Sequence, residues 1–506
     1  MIARLARNSL WNIGGGLVPA VVMLGTIPVV LARLGDTHYG LLALLTSVVG
    51  YFALVDLNFT AGTMKYVAEF NAAGQREAVH ASITLGFLIY AAIGVLGALG
   101  IYGGADWLIS RVFVVPEATR EVAVRAMQWA ALGFLFTQLQ GFCMSVPQAL
   151  ERFDVSARLE MTFGVLTPVA TVAILVLGGG IVEVIMLRAF MAAANCLWLV
   201  YAIRRLVPDF KWRAPGRALA RRMLEFSGFA YLSRFAAMTY AHADSLIISA
   251  LAGVGQLTLY SLPFTLTNRV LSITMRITQV VMPAVSALQA RGEIERMRSP
   301  YLAYSRYAFY LNSFFGLLLG LFGAQILEVW LGAQYAETGG VVVLLIAAGM
   351  VVDSLTNMPS QVNDGLGRPK ITGLFALARA VLGIGLGYFL TRSFGIVGAA
   401  SAHLIASAIM TIAFLAYVHR GVFPGTSGEV LRHAYASVLV VAVLSVLMTF
   451  GVRSVHGASL AWTVVDAGLF ATVYAVLGYM IVLAASDRNQ IRMLVRSFFA
   501  RPVPPT

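Results

Sequence analysis

The chain has 506 residues, of which 59% are hydrophobic and 12% charged, and its mean hydropathy is +0.81; a soluble domain carries about 25% charged residues. That balance excludes a large aqueous domain and most enzymes whose chemistry needs one. The formal charge of +13 would suggest nucleic acid in a soluble chain, but in a multi-pass membrane protein basic residues gather in cytoplasmic loops, so no nucleic-acid partner is expected.

A membrane crossing takes about 20 apolar residues, which leaves room for about fourteen helices. Arg4 and Arg7 precede an apolar run over 9–31, longer than the roughly 7–15 residues of a signal-peptide core, and this run is read as an uncleaved first helix. Apolar runs cut by charge clusters and by Gly or Pro predict further spans at 39–57, 81–102, 126–147, 161–179, 182–203, 226–250, 258–285, 305–326, 341–362, 371–391, 396–418, 434–452 and 461–485. With a cytoplasmic N-terminus, and with Arg306 at the very edge of its span counted in the loop before it, the tails and even-numbered loops hold 25 of the 36 Lys and Arg, the odd-numbered loops 6 and the spans 5. This bias puts both termini in the cytoplasm.

Three faint matches recur at offsets of 220, 218 and 215: Gly35-Asp-Thr-His-Tyr39 with Gly255-Gln-Leu-Thr-Leu-Tyr260, Ala-Gly74-Gln-Arg-Glu77 with Arg-Gly292-Glu-Ile-Glu295, and Gly180-Ile-Val182 with Gly395-Ile-Val397. The interval equals six spans, so helices 1–6 and 7–12 are expected to be two copies of one unit. An even number of spans keeps the copies in the same orientation, with a pseudo-two-fold along the membrane normal. The expected fold is an all-α polytopic membrane protein: an N-terminal lobe (1–203), a basic cytoplasmic linker (204–225), a C-terminal lobe (226–420), and two extra helices with a basic tail (421–506). The linker, with Arg204, Arg205, Lys211, Arg213, Arg217, Arg221 and Arg222, reads first as a topology determinant facing anionic lipid heads in the bilayer.

Several chemistries are missing. The lysines are Lys65, Lys211 and Lys370, none after a glycine, so there is no phosphate-binding loop of the G-x-x-x-x-G-K-[ST] type. Seven histidines, His242 and His403 among them, lack metal-ligand spacing, and Cys143 and Cys196 sit in apolar runs. The chain is expected to be neither an enzyme nor a metal protein, and no cofactor is expected.

The charge inside the spans is informative. Arg188, Arg234, Arg269, Arg276 and Arg379 fall there, and an arginine at a span centre costs about 2.5–3.5 kcal/mol on insertion scales, so each should face protein or a wet cavity. Asp353 and Arg379 lie at similar depth, about 12–14 Å from the inner ends of helices 10 and 11 at 1.5 Å per residue, and are expected to form a structural ion pair. Arg188 has a weaker neutraliser in Glu183, and Arg276 is near enough to the inner interface to snorkel. Arg269 lies mid-span in Tyr260-Ser-Leu-Pro-Phe-Thr-Leu-Thr-Asn-Arg269, Arg276 follows two turns on, and Arg234 enters from the preceding helix. Arginine's planar fork binds phosphate bidentately and keeps its charge when desolvated, so these three suit a phosphate-bearing amphiphile. Asp56 and Asp244 are candidates for carrying a coupling proton or sodium ion, or else an interfacial residue and an arginine partner respectively.

The stretch Ile27-Pro-Val-Val-Leu-Ala-Arg-Leu-Gly35-Asp-Thr-His-Tyr-Gly40, followed by Tyr51-Phe-Ala-Leu-Val-Asp56-Leu-Asn58, resembles the opening of the polysaccharide transport family, the lipid-linked oligosaccharide flippases that include O-antigen flippases. That family usually has Gly where Asn58 stands. Asp244-Ser-Leu-Ile-Ile-Ser, Tyr260, Met282-Pro283-Ala-Val-Ser286 and Asn363-Asp-Gly-Leu-Gly367-Arg-Pro-Lys370 resemble its later segments. The resemblance implies the fold of the multidrug, oligosaccharidyl-lipid and polysaccharide exporter superfamily, a bacterial inner-membrane location, and flipping of undecaprenyl-diphosphate-linked glycans by alternating access. Carried onto this chain, it makes Arg234, Arg269 and Arg276 the pyrophosphate ligands, with a polysaccharide polymerase as a candidate partner and a monomer as the expected state. A peptidoglycan-precursor flippase and a cation-coupled drug exporter of the same superfamily are the alternatives.

Overall fold

The computed structural model describes residues 2–52, 59–278, 285, 294–422, 427–455, 459–484 and 488–489, and among them the regular structure is helical, without a strand. The principal helices are α1 (Ile2–Phe52), α2 (Phe59–Ala72), α3 (Arg76–Trp107), α4 (Arg120–Ala149), α5 (Phe153–Val176), α6 (Ile181–Leu206), α7 (Arg217–Leu251), α8 (Val254–Thr278), α9 (Arg298–Leu331), α10 (Ala336–Ser354), α11 (Asn357–Gly365), α12 (Pro369–Gly421), α13 (Ser437–Arg453) and α14 (Leu460–Leu477). Ten stretches of the described residues are long and apolar enough to cross a membrane.

Two helices are too long for one crossing. α1 runs 51 residues and α12 runs 53, more than about 75 Å at 1.5 Å per residue against a hydrocarbon core of about 30 Å. Each is interrupted by a glycine with non-helical torsions, Gly35 at φ 73° and Gly395 at φ 59°. A side chain at such a φ crowds the backbone, so glycine is the residue that lets the chain turn back there. Positive φ recurs at Gly178, just before α6, and at Gly253, just before α8. Gly35 with Gly253 and Gly178 with Gly395 therefore mark the same turns in the two copies, spaced as the sequence matches are. The turning glycines are two residues earlier than Gly180 and Gly255, the ones matched by sequence.

Several helices begin before the apolar span. α3 starts at Arg76 and α9 at Arg298, whereas the spans were expected from 81 and 305. Hydropathy registers only the slab in contact with hydrocarbon, while the helix hydrogen bonds continue into the polar interface. The tenth span also differs, since the chain bends at Leu355–Thr356 between α10 and α11.

Contacts divide the chain into two compact units, Met1–Leu262 with Gly373–Ala402, and Pro263–Thr372 with His403–Thr506. In the first, α4 packs on α3 and α6, and α1 on α5. Small buried residues on α4, Ala126 and Ala130 among them, allow that approach, because membrane helices associate through close packing rather than through expulsion of water. Tyr90 of α3 stacks on Phe142 of α4 at a ring separation of 5.6 Å. The segment between α6 and α7 docks on the start of α3: Arg213 Nη2 donates to Glu77 Oε1 at 2.6 Å, Arg76 pairs with Asp209 at 3.2 Å, and Trp212 meets Phe87 and Phe210 edge to face.

In the second unit, Gly316, Gly320 and Gly323 of α9 admit Val351, Leu344 and Val343 of α10. The appended α14 packs on α9 through Tyr310 and Tyr474, whose rings stack at 4.8 Å while each hydroxyl donates to the other residue's carbonyl oxygen at 3.0 Å.

Candidate functional site

Helices α7 and α8 are joined by a turn of two residues, so positions about eight residues before and after it face each other. Asp244 and Tyr260 occupy such positions, and the Tyr260 hydroxyl donates to Asp244 Oδ2 at 2.5 Å. Tyr260 is 1% exposed. Arg379 of α12, in the same unit, lies within electrostatic reach of the Asp244 carboxylate. Asp244 thus has a phenol as its hydrogen-bond partner and a guanidinium within electrostatic reach.

The turn itself is held from outside. Val114, between α3 and α4, donates its N–H to Ser249 O at 2.9 Å and accepts from Val254 N–H at 3.2 Å. Thr258 Oγ1 donates to Asp36 O at 2.6 Å, which fixes the start of α8 against the Gly35 turn.

Arg188 of α6 lies beside the second segment of α1. Its Nη1 donates to Thr46 Oγ1 at 3.3 Å, and Tyr39 is its electrostatic neighbour. Glu183, its expected neutraliser, is occupied elsewhere: Glu183 Oε2 accepts the Gly180 N–H at 2.8 Å and caps α6.

Arg269 stands on α8 with an exposed side chain. Arg234 and Arg276 are on α7 and α8, but their side chains, like the whole of Asp56, lie outside the described residues. Asp353 is half-buried on α10 in the second unit, whereas Arg379 belongs to the first. Sequence reasoning passed over Asp466, which is 2% exposed on α14. It is a carboxylate inside the span expected at 461–485, so the rule that singled out the arginines would have found it. Tyr39, Thr46 and Tyr260 carried no comparable signal, because hydroxyls are ordinary in membrane helices.

A family described as polysaccharide biosynthesis protein matches residues 5–289. Among curated proteins, the chain is 20% identical over 403 residues to one from Shigella flexneri named "Putative O-antigen transporter", covering 78% of this chain and 93% of that one. Among solved structures, an inward closed conformation of the lipid II flippase MurJ superposes with a TM-score of 0.70 at 12% identity, over 96% of this chain and all 100% of that one. An inward-facing MATE family transporter of the MOP superfamily superposes with a TM-score of 0.66 at 16% identity, over 82% and 94%. The superpositions establish the fold expected from the sequence.

Proposed function

Since the chain belongs to the polysaccharide biosynthesis protein family and has the fold of the MOP transporters, we propose that it flips undecaprenyl-diphosphate-linked oligosaccharide from the cytoplasmic to the outer leaflet of the bacterial inner membrane. It works by alternating access, as a monomer with both termini cytoplasmic, and it serves cell-surface polysaccharide synthesis alongside a polymerase. The observation that carries this reading is Arg269, an exposed cation more than halfway along α8. A guanidinium at that depth is tolerable where it meets water or an anion, and poorly tolerable against hydrocarbon. A diphosphate supplies two adjacent anionic groups of the shape that arginine grips bidentately. In this reading Arg234, Arg269 and Arg276 neutralise the diphosphate while the polyprenyl chain stays in the bilayer, and Asp56 or Asp244 carries the coupling proton or sodium ion.

The test is to delete the gene, extract polyprenyl-diphosphate-linked glycans and probe each face of the inner membrane with an impermeant glycosidase. A complete repeat unit accumulating on the cytoplasmic face alone is the expected result. Accumulated peptidoglycan precursor would reassign the cargo, and a normal lipid pool with new sensitivity to cationic drugs would make the chain an exporter. Complementation sharpens the residue assignment: Arg269→Ala should insert normally and fail to transport, Arg269→Lys should retain partial transport, and full transport by the alanine variant would remove the phosphate role.

A further inference from the structure

Arg188 holds a charge inside a membrane span, and among the described residues of the first unit no carboxylate pairs with it. It lies seven residues along α6, about 10 Å from the helix start. The carboxylate nearest in sequence, Glu183, caps that start through the Gly180 N–H. Among the described residues, the partners of Arg188 are a hydroxyl and a phenol, Thr46 and Tyr39. Among the described residues, one of the five guanidinium N–H donors makes a hydrogen bond, that to Thr46.

The neighbours are arranged for an anion. Tyr39 and Thr46 are seven residues apart on one helical segment, two turns along the same face; the Thr46 hydroxyl accepts from Arg188 and Tyr39 lies within electrostatic reach of it. Thr46 is exposed and Arg188 half-buried, so an entering group can reach them. The Thr46 hydroxyl spends its proton on Leu42 O at 2.7 Å and accepts from Arg188, so it orients the guanidinium, and the remaining guanidinium donors, with the Tyr39 phenol on the same face, are what an oxyanion would meet; a structural arginine is more often closed off by a carboxylate. The cost of leaving a guanidinium at that depth is offset when a phosphate oxygen occupies the remaining donors.

We propose that Arg188, Tyr39 and Thr46 form a phosphate-oxyanion subsite of the first unit, separate from the arginines of α7 and α8, which engages a phosphate of the cargo head group during transport. The inference rests on the flippase reading for the identity of the cargo, but the subsite itself stands on the geometry of α1 and α6.

The experiment is a ligand-induced thermal shift on the purified full-length protein in nanodiscs of zwitterionic lipid. Wild type, Arg188→Gln, Arg188→Lys and Thr46→Val are each titrated with undecaprenyl diphosphate, undecaprenol, inorganic pyrophosphate and phosphatidylglycerol. The diphosphate, and not undecaprenol, should stabilise the wild type. Binding should weaken about tenfold or more in Arg188→Gln, since hydrogen bonds to charged groups are the strong class, less in Arg188→Lys, and by a smaller factor in Thr46→Val. Equal binding by wild type and a folded Arg188→Gln would overturn the subsite and leave the flippase reading intact. Arg188-dependent binding of pyrophosphate without binding of undecaprenyl diphosphate would keep the subsite and count against that reading. A response confined to phosphatidylglycerol, or none to any anion, would overturn the proposal. Should Arg188→Gln fail to fold, Arg188→Lys and Thr46→Val decide alone, and unchanged affinity in both overturns it.

Discussion

Replacing Gly40 by alanine drives a methyl group into the backbone of the turn that opens α8. The added carbon would overlap the carbonyl oxygen of Val254, sit 2.7 Å from the carbonyl carbon and lie 2.8 Å from Thr258 Oγ1. Ordinary carbon contacts begin near 3.5 Å, so clearing the Val254 carbonyl oxygen requires α1 and α8 to part by well over 1 Å. They cannot do so freely, because Val254 donates to Val114 O and Thr258 donates to Asp36 O on either side of the overlap. Overpacking of this kind costs roughly 1–3 kcal/mol, and a collision with backbone belongs at the upper end. Alanine's better helix propensity returns about 1 kcal/mol, which leaves a net loss of about 2 kcal/mol. Gly25→Ala is the matched control, since nothing lies within 4 Å of its new carbon and the propensity gain stands unopposed. The two cysteines, Cys143 and Cys196, are free and buried, so a thiol-reactive dye reports unfolding in detergent without added labels. Gly40→Ala should melt several degrees below the wild type and Gly25→Ala at or above it. Equal melting of the two variants, or a Gly40→Ala protein as stable as the wild type, would refute the close approach of α1 to α8.

Tyr310→Phe removes the hydroxyl that donates to Tyr474 O while keeping the ring stack, and should cost about 1 kcal/mol in the same melting assay. Tyr310→Ala removes the ring as well and should cost 3 kcal/mol or more, within the range of about 3–5 kcal/mol for emptying an aromatic site; similar losses in both variants would show that the stack contributes little. The bidentate pair Arg298–Glu429, with Nη2–Oε1 at 2.7 Å, has side chains 44% and 41% exposed. A double-mutant cycle should therefore give a coupling below about 1 kcal/mol that shrinks with added salt. A larger, salt-insensitive coupling would mean that the pair is shielded from water.

How much of this was legible beforehand depends on the range of the interaction. The apolar runs located the spans because partition into hydrocarbon acts residue by residue, and Gly35, where α1 turns back, already stood out in the repeat. The candidate site was legible only as charge in the wrong solvent. Arg188, Asp244, Arg269 and Arg379 were conspicuous because an ionised group in an apolar run is costly wherever it points. Their partners were not conspicuous. Glu183 was the obvious neutraliser for Arg188 by proximity in the chain, yet the open N–H at Gly180 claims it, since an unfilled helix start is a nearer and better-aligned donor.

By itself the sequence determined that this protein is an all-helical, multi-span membrane protein built from a repeated unit, because hydropathy, charge distribution and the turning glycines are local properties that survive without knowledge of neighbours. Only the tertiary structure decided that Asp244 bonds Tyr260 and lies within electrostatic reach of Arg379, that Arg188 bonds Thr46 with Tyr39 in its electrostatic reach, and that a methyl group fits at Gly25 but not at Gly40. Those outcomes depend on which helix faces are pressed together, and the pairing of faces is set by close packing among many side chains at once, which no single stretch of the chain encodes.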